Sequence, residues 1–132
     1  MQAVVEYVGD GRLLGVADSK QLIVMGWRGV GIMPMEAVLT ALGGCSAVDI
    51  VEIITKSRKQ VNGLRVELKA ERVEEPPRVF SKIEITYILK SPDATENELR
   101  RAVELSMEKY CSVAAMLRKG GVEIGYTFKL ER

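Results

Sequence analysis

The chain predicts an α+β domain with its elements in the order βββ-α-ββ-α-β, and three observations carry that reading. Residues 64–71 and 82–90 alternate apolar and polar side chains, the period-two pattern of strands with one face in water. The stretch from Pro34 to about Lys59 is too long for a strand, apolar over its first half, and punctuated like a helix at both ends. The stretch "TENELRRAVELSMEKYCSVAAMLRK" carries apolar residues at helical spacing and ends at Gly120–Gly121.

Taken in order, "VVEYV", "GDG" and "RLLGVAD" read as a hairpin, since Gly9 and Gly11 permit the positive φ of a tight turn. "ADSKQ" makes a second polar turn before the short strand "QLIVMGW", so three meandering strands precede the first helix. Pro34 suits the first helical position because its φ is already fixed there. At the far end "SRKQVNG" supplies cations for the negative end of the helix and then a turn. The first half of this helix is apolar nearly all round and rich in small residues, Ala41, Gly43, Gly44, Ser46 and Ala47, as expected of a helix enclosed on several sides. Two adjacent glycines cost about 1 kcal/mol each against alanine, which close approach of another backbone would explain.

The next two strands place Leu64, Val66, Leu68 and Ala70, then Ile83, Ile85, Tyr87 and Leu89, inward, with "EEPPR" breaking between them. Thr95 and Glu98 have capping-box spacing at the start of the second helix, whose apolar face is read as Leu99, Val103, Met107, Tyr110, Ala114 and Leu117. "VEIGYTFKLE" is the last strand. Strands that cover one side of a buried helix leave its other sides bare, so a partner subunit is the expected cover.

Length and composition fit a single domain over residues 1–132, with 47% hydrophobic and 28% charged residues. A net charge of +1, without a local basic block, provides no footprint for nucleic acid, and 5% aromatics provide few stacking platforms. The first residues lack the charged start and apolar stretch of a signal peptide. The long apolar run is interrupted by Thr40, Ser46, Asp49 and Glu52. A membrane span is therefore not expected, and a cytoplasmic location is. The absence of histidine removes Cys-His and Ser-His nucleophile pairs and most zinc sites.

The chemistry then rests on two cysteines. On an ideal helix Asp49 lies about 40° from Cys45 and Glu52 about 20° the other way, so both acids share the cysteine's face, whereas Glu36 is about 180° round. Cys111, one residue past Tyr110, sits at the edge of the second helix's apolar face. Both thiols can be small buried hydrophobes. A reactive thiolate instead needs a cation, here arginine or lysine. Arg28, in the glycine-rich loop "GWRGVGIMP", is the better placed candidate and Arg12, in the first hairpin, the weaker one.

The arginine followed by proline ahead of the helix, "PMEAVLTALGGC", and "KYCSVAAML" in the second helix together resemble the OsmC/Ohr family, the osmotically inducible and organic-hydroperoxide-resistance proteins. The wording "PME…LGGC…D" is most similar to its YhfA-like branch. The resemblance implies an OsmC-like intertwined homodimer, with two long helices in the middle and antiparallel sheets wrapping them. It also implies a thiol peroxidase in which Cys45 attacks an organic hydroperoxide, Cys111 resolves the sulfenic acid as a disulfide, and a small dithiol such as dihydrolipoamide reduces the pair. Arg28 would hold the thiolate and guide the peroxide. No metal, haem or flavin is called for. Met25, Trp27, Met33, Met35 and Met107 would suit an alkyl-bearing substrate, though such methionines are more often plain core. The family's peroxidases carry an acid directly after the proline; here Met35 takes that slot and the acid, Glu36, follows, turned by about 100°. Asp49 is an acid which that pattern does not supply. A second expectation therefore stands beside the first: a dimer with little or no catalysis that binds a small ligand, anchored by Asp49 and Glu36.

Overall fold

The computed structural model describes residues 1–132 and forms β1 (Ala3–Gly9), β2 (Arg12–Ala17), β3 (Leu22–Gly26), α1 (Pro34–Lys56), β4 (Gly63–Arg72), β5 (Phe80–Lys90), α2 (Glu96–Leu105), α3 (Ser112–Lys119) and β6 (Glu123–Glu131). A π-helical turn, Ser106–Tyr110, joins α2 to α3. The α+β class and the element order are as the sequence predicts. Two compact units divide the chain, Met1–Thr40 and Ala41–Arg132.

In the amino-terminal unit β1, β2 and β3 form an antiparallel meander. Gly9, Asp10 and Gly11 all take positive φ in the first turn, the conformation for which the two glycines are suited. The sheet is apolar on both faces: Val5, Tyr7 and Ile23 project from one, Val4, Val8, Leu22 and Val24 from the other, and all are exposed. Tyr7 stacks on Trp27 with ring centroids 5.7 Å apart.

In the second unit β5 lies between β4 and β6. The alternation of β4 is realised in full: Leu64, Val66, Leu68 and Ala70 are half-buried while Arg65, Glu67, Lys69 and Glu71 are exposed. Ile83, Ile85, Tyr87 and Leu89 of β5 are buried. One detail departs from the expected antiparallel sheets, because β6 pairs with β5 in parallel. The helices between them carry the chain back to the starting edge, and a strand entered after such a crossover runs in the same direction as the one before it.

α1 buries Leu42, Gly43, Ser46, Ile50 and Ile54. A methyl group at Gly43 would lie 2.9 Å from Leu68 Cδ1, so the glycine lets the helix settle on β4. Gly44 has nothing within 4 Å of such a methyl. By length and composition alone α1 is apolar enough to cross a membrane, a test that the core helix of a folded domain also passes.

The capping box is complete at α2: Glu98 N–H donates to Thr95 Oγ1 at 3.1 Å, and Thr95 N–H donates to Glu98 Oε1 at 2.9 Å. The second helix itself is not continuous. Its π-helical turn closes with Cys111 N–H donating to the Ser106 carbonyl at 2.8 Å, after which Cys111 turns to φ −72° and ψ 106°. The wider turn moves the apolar face by one residue. Cys111 is 3% exposed and Tyr110, read as inward, is 52% exposed.

Candidate functional site

Helix α1 presents Cys45, Ser46 and Asp49 within one turn, and the segment around Cys111 faces them. Cys45 is half-buried, Cys111 is buried, and both are free thiols. Burial pushes the Cys111 thiol up to about 11. Backbone N–H groups of Ala114 and Val113 pull it down, while the adjacent Cys45 thiol adds to the rise by hydrogen bonding and by charge. The two cysteines, remote in sequence, thus lie close enough for one thiol to act on the ionisation of the other. Cys111 also caps α3, its sulfur accepting from Ala114 N–H at 3.5 Å, so the positive end of that helix points at the thiol.

A buried polar chain lies beside the thiols. Tyr87 Oη donates to Ser46 Oγ at 2.8 Å, and Ser46 Oγ donates to the carbonyl of Leu42 at 3.0 Å. Desolvation is the main reason that Tyr87 is pushed up to about 12. Ser106 Oγ donates to Asp49 Oδ2 at 2.8 Å and so fixes the carboxylate that the sequence places one turn from Cys45. No buried side-chain nitrogen or oxygen lacks a hydrogen-bond partner. A groove of about 560 Å³ runs alongside, lined by Asp49, Glu52, Ile53, Lys56, Leu105 and Tyr110.

Arg28, Arg12, Met35 and Glu36 belong to the amino-terminal unit. Arg28 is exposed and takes a positive φ of 62° in the turn after β3, and Arg12 is exposed at the start of β2. Met35 is half-buried in the first turn of α1. Glu36 Oε1 accepts from Met33 N–H at 2.9 Å, as a carboxylate capping the helix start does. Neither arginine takes part in an ion pair.

Sequence reasoning singled out Cys45, Asp49 and Cys111 and passed over Ser46, Tyr87, Ser106 and Arg118. Tyr87 was legible as inward-facing, but no local signal gives its hydroxyl a partner on α1. Arg118, in the last turn of α3, donates to the Met107 carbonyl and lies 3.6 Å from Glu108. No set of three or more cysteine, aspartate or glutamate side chains is grouped to hold a metal ion.

Residues 28–127 match the family described as OsmC-like protein. Protein YhfA of Escherichia coli K12 is 43% identical over 132 residues, with 98% of each chain covered. A hypothetical protein from Aquifex aeolicus VF5 has a crystal structure similar to this fold, with a TM-score of 0.83, 33% identity and coverage of 99% of this chain and 97% of that one. The organic hydroperoxide resistance protein OhrB of Bacillus subtilis shares the fold at a TM-score of 0.64 and 14% identity, with 98% of both chains covered. With the family pattern spanning the cysteine helix and the Cys111 segment, and a relative of that identity matched along almost the whole of both chains, this chain belongs to the OsmC-like protein family.

Proposed function

We propose that the chain is a cysteine-dependent reductase of organic hydroperoxides, with Cys45 as the peroxidatic thiol and Cys111 as the resolving one. The observation that carries this reading is the pairing of two free thiols from distant elements, one partly accessible and the other buried. The accessible sulfur meets substrate and the buried one waits behind it. Cys45 thiolate attacks the terminal oxygen of the hydroperoxide; an S–O bond forms, the O–O bond breaks, and the alkoxide takes a proton from water and leaves as an alcohol. Cys111 then attacks the sulfenic sulfur; the S–S bond forms and hydroxide leaves with the thiol proton as water. A small dithiol restores both thiols by two exchanges and closes to its own disulfide.

Arg28 is the cation assigned to the Cys45 thiolate, with Met35 and Glu36 in supporting positions, and the working species is a cytoplasmic homodimer. Two exposed apolar surfaces support the dimer: the amino-terminal sheet, and the row Ala41, Gly44, Val48 and Val51 along α1. The resistance function named for the Bacillus subtilis neighbour agrees with this reading. The groove beside Asp49 favours a second one, a dimer that binds a small apolar or thiol-reactive ligand with little or no turnover. Hydroperoxide consumption in the presence of a dithiol separates them. Loss of turnover in Cys45→Ser is the expected result, and equal turnover in that variant removes Cys45 from the mechanism.

A further inference from the structure

Residues 95–119 prescribe an unbroken helix, and in that register Tyr110 would face the core. The π-helical turn at Ser106–Tyr110 gives Cys111 that place instead. Such a turn is intrinsically poorer than an α turn and persists where its surroundings hold it. Here the hold is a guanidinium. One nitrogen of Arg118 donates to the Met107 carbonyl and the other lies 3.6 Å from Glu108 Oε1, which accepts from Tyr126 Oη at 2.9 Å. Arg118 therefore ties the last turn of α3 to the π-helical turn, straddling Cys111, and is itself moored to β6 through Glu108.

We propose that Arg118 is a positioning residue for the thiol pair: its hydrogen bond to the Met107 carbonyl, with its ion pair to Glu108, keeps the wide turn in place and so keeps Cys111 facing Cys45. The planar fork suits the task because one group must serve a carbonyl and a carboxylate at the same time. Without it the segment is free to relax toward a continuous α-helix, which would turn Cys111 by about 100° away from its partner. The inference deepens the dithiol reading above and rests on the Cys45–Cys111 pair, but not on any particular oxidant.

The test is the Cys45–Cys111 thiol–disulfide equilibrium in glutathione buffers, with no hydroperoxide present, for wild type, Arg118→Met and Arg118→Lys. Arg118→Met is expected to lower the equilibrium constant for disulfide formation about tenfold, which raises the reduction potential by about 30 mV. Arg118→Lys, which keeps the charge and a donor, is expected to recover part of that shift. In a Cys45→Ser background, Arg118→Met is expected to speed alkylation of the remaining thiol, Cys111, about tenfold as it leaves its 3% exposed position. Melting temperatures that fall while the potential and the alkylation rate stay at their wild-type values would overturn the proposal. If Arg118→Met does not fold, Arg118→Lys carries the same test, and a wild-type potential there together with a wild-type alkylation rate overturns it equally. An Arg118-dependent potential in a protein that leaves hydroperoxides untouched would uphold this inference and sink the peroxidase reading. Hydroperoxide turnover with an Arg118-independent potential would do the reverse.

Discussion

Gly44→Ala puts the proposed subunit seam to a quantitative test. Gly44 sits in the row Ala41, Gly44, Val48, Val51 and Thr55, exposed positions spaced three and four apart along α1, as in a helix–helix seam. A methyl group there meets nothing within 4 Å in the protomer. For an isolated protomer the substitution is then a gain of about 0.5–1 kcal/mol in helix stability. Against a second copy packed on the same row, the methyl groups overfill the contact, and overpacking costs about 1–3 kcal/mol. That range corresponds to a rise of roughly five- to 150-fold in the dimer dissociation constant. Sedimentation equilibrium over a concentration series measures it, and circular dichroism melts follow the protomer. Gly43→Ala is the internal contrast, since its methyl would meet Leu68 Cδ1 2.9 Å away within the same chain, so whatever it does to stability is the same at every protein concentration. A Gly44→Ala protein that melts higher and associates as tightly as wild type would refute the seam.

Cys111→Ser, with no dithiol present, is expected to let Cys45 react once and stop at the sulfenic acid, which dimedone labelling followed by mass spectrometry detects; labelling of Cys45 to the same extent in wild type would leave Cys111 no resolving role. Arg28→Ala is expected to slow alkylation of Cys45 by iodoacetamide at neutral pH about tenfold if the cation supports the thiolate, and an unchanged rate would remove Arg28. The Cys111 thiol ionises at about 11 in the fold against an ordinary 9.0. The unfolded chain therefore sheds this proton first, and the contribution, fully present below pH 9, is lost as pH rises toward 11. Urea titrations at pH 8 and pH 10 should show that decline in wild type and a smaller one in Cys111→Ala; equal declines would contradict it. Asp49→Asn exchanges a charged acceptor of the Ser106 hydroxyl for a neutral one and is expected to cost about 1 kcal/mol in urea denaturation.

Much of this architecture was legible because its signals are local. Pro34, Thr95 with Glu98, and the alternation of β4 and β5 each state their conformation within a few residues. What stayed hidden is tertiary. Nothing in "SMEKY" specifies a π-helical turn, since the groups that hold it lie on α3 and β6, and so the inward place passed from Tyr110 to Cys111 without a sequence signal. Asp49 was visible as an acid on the cysteine's face, but its partner Ser106 comes from another element. Glu36 stands out in the sequence as an acid displaced by one position; in the structure its carboxylate caps the start of α1, a use that the spacing to Met33 permits but does not announce.

The most direct test of the central claim is peptide mapping after a single equivalent of cumene hydroperoxide is added to the reduced protein without dithiol. The account predicts one new cross-link, Cys45 to Cys111 within a protomer, formed as the hydroperoxide disappears. Peroxide that persists while both thiols remain free, or that disappears equally fast with Cys45→Ser, would contradict it.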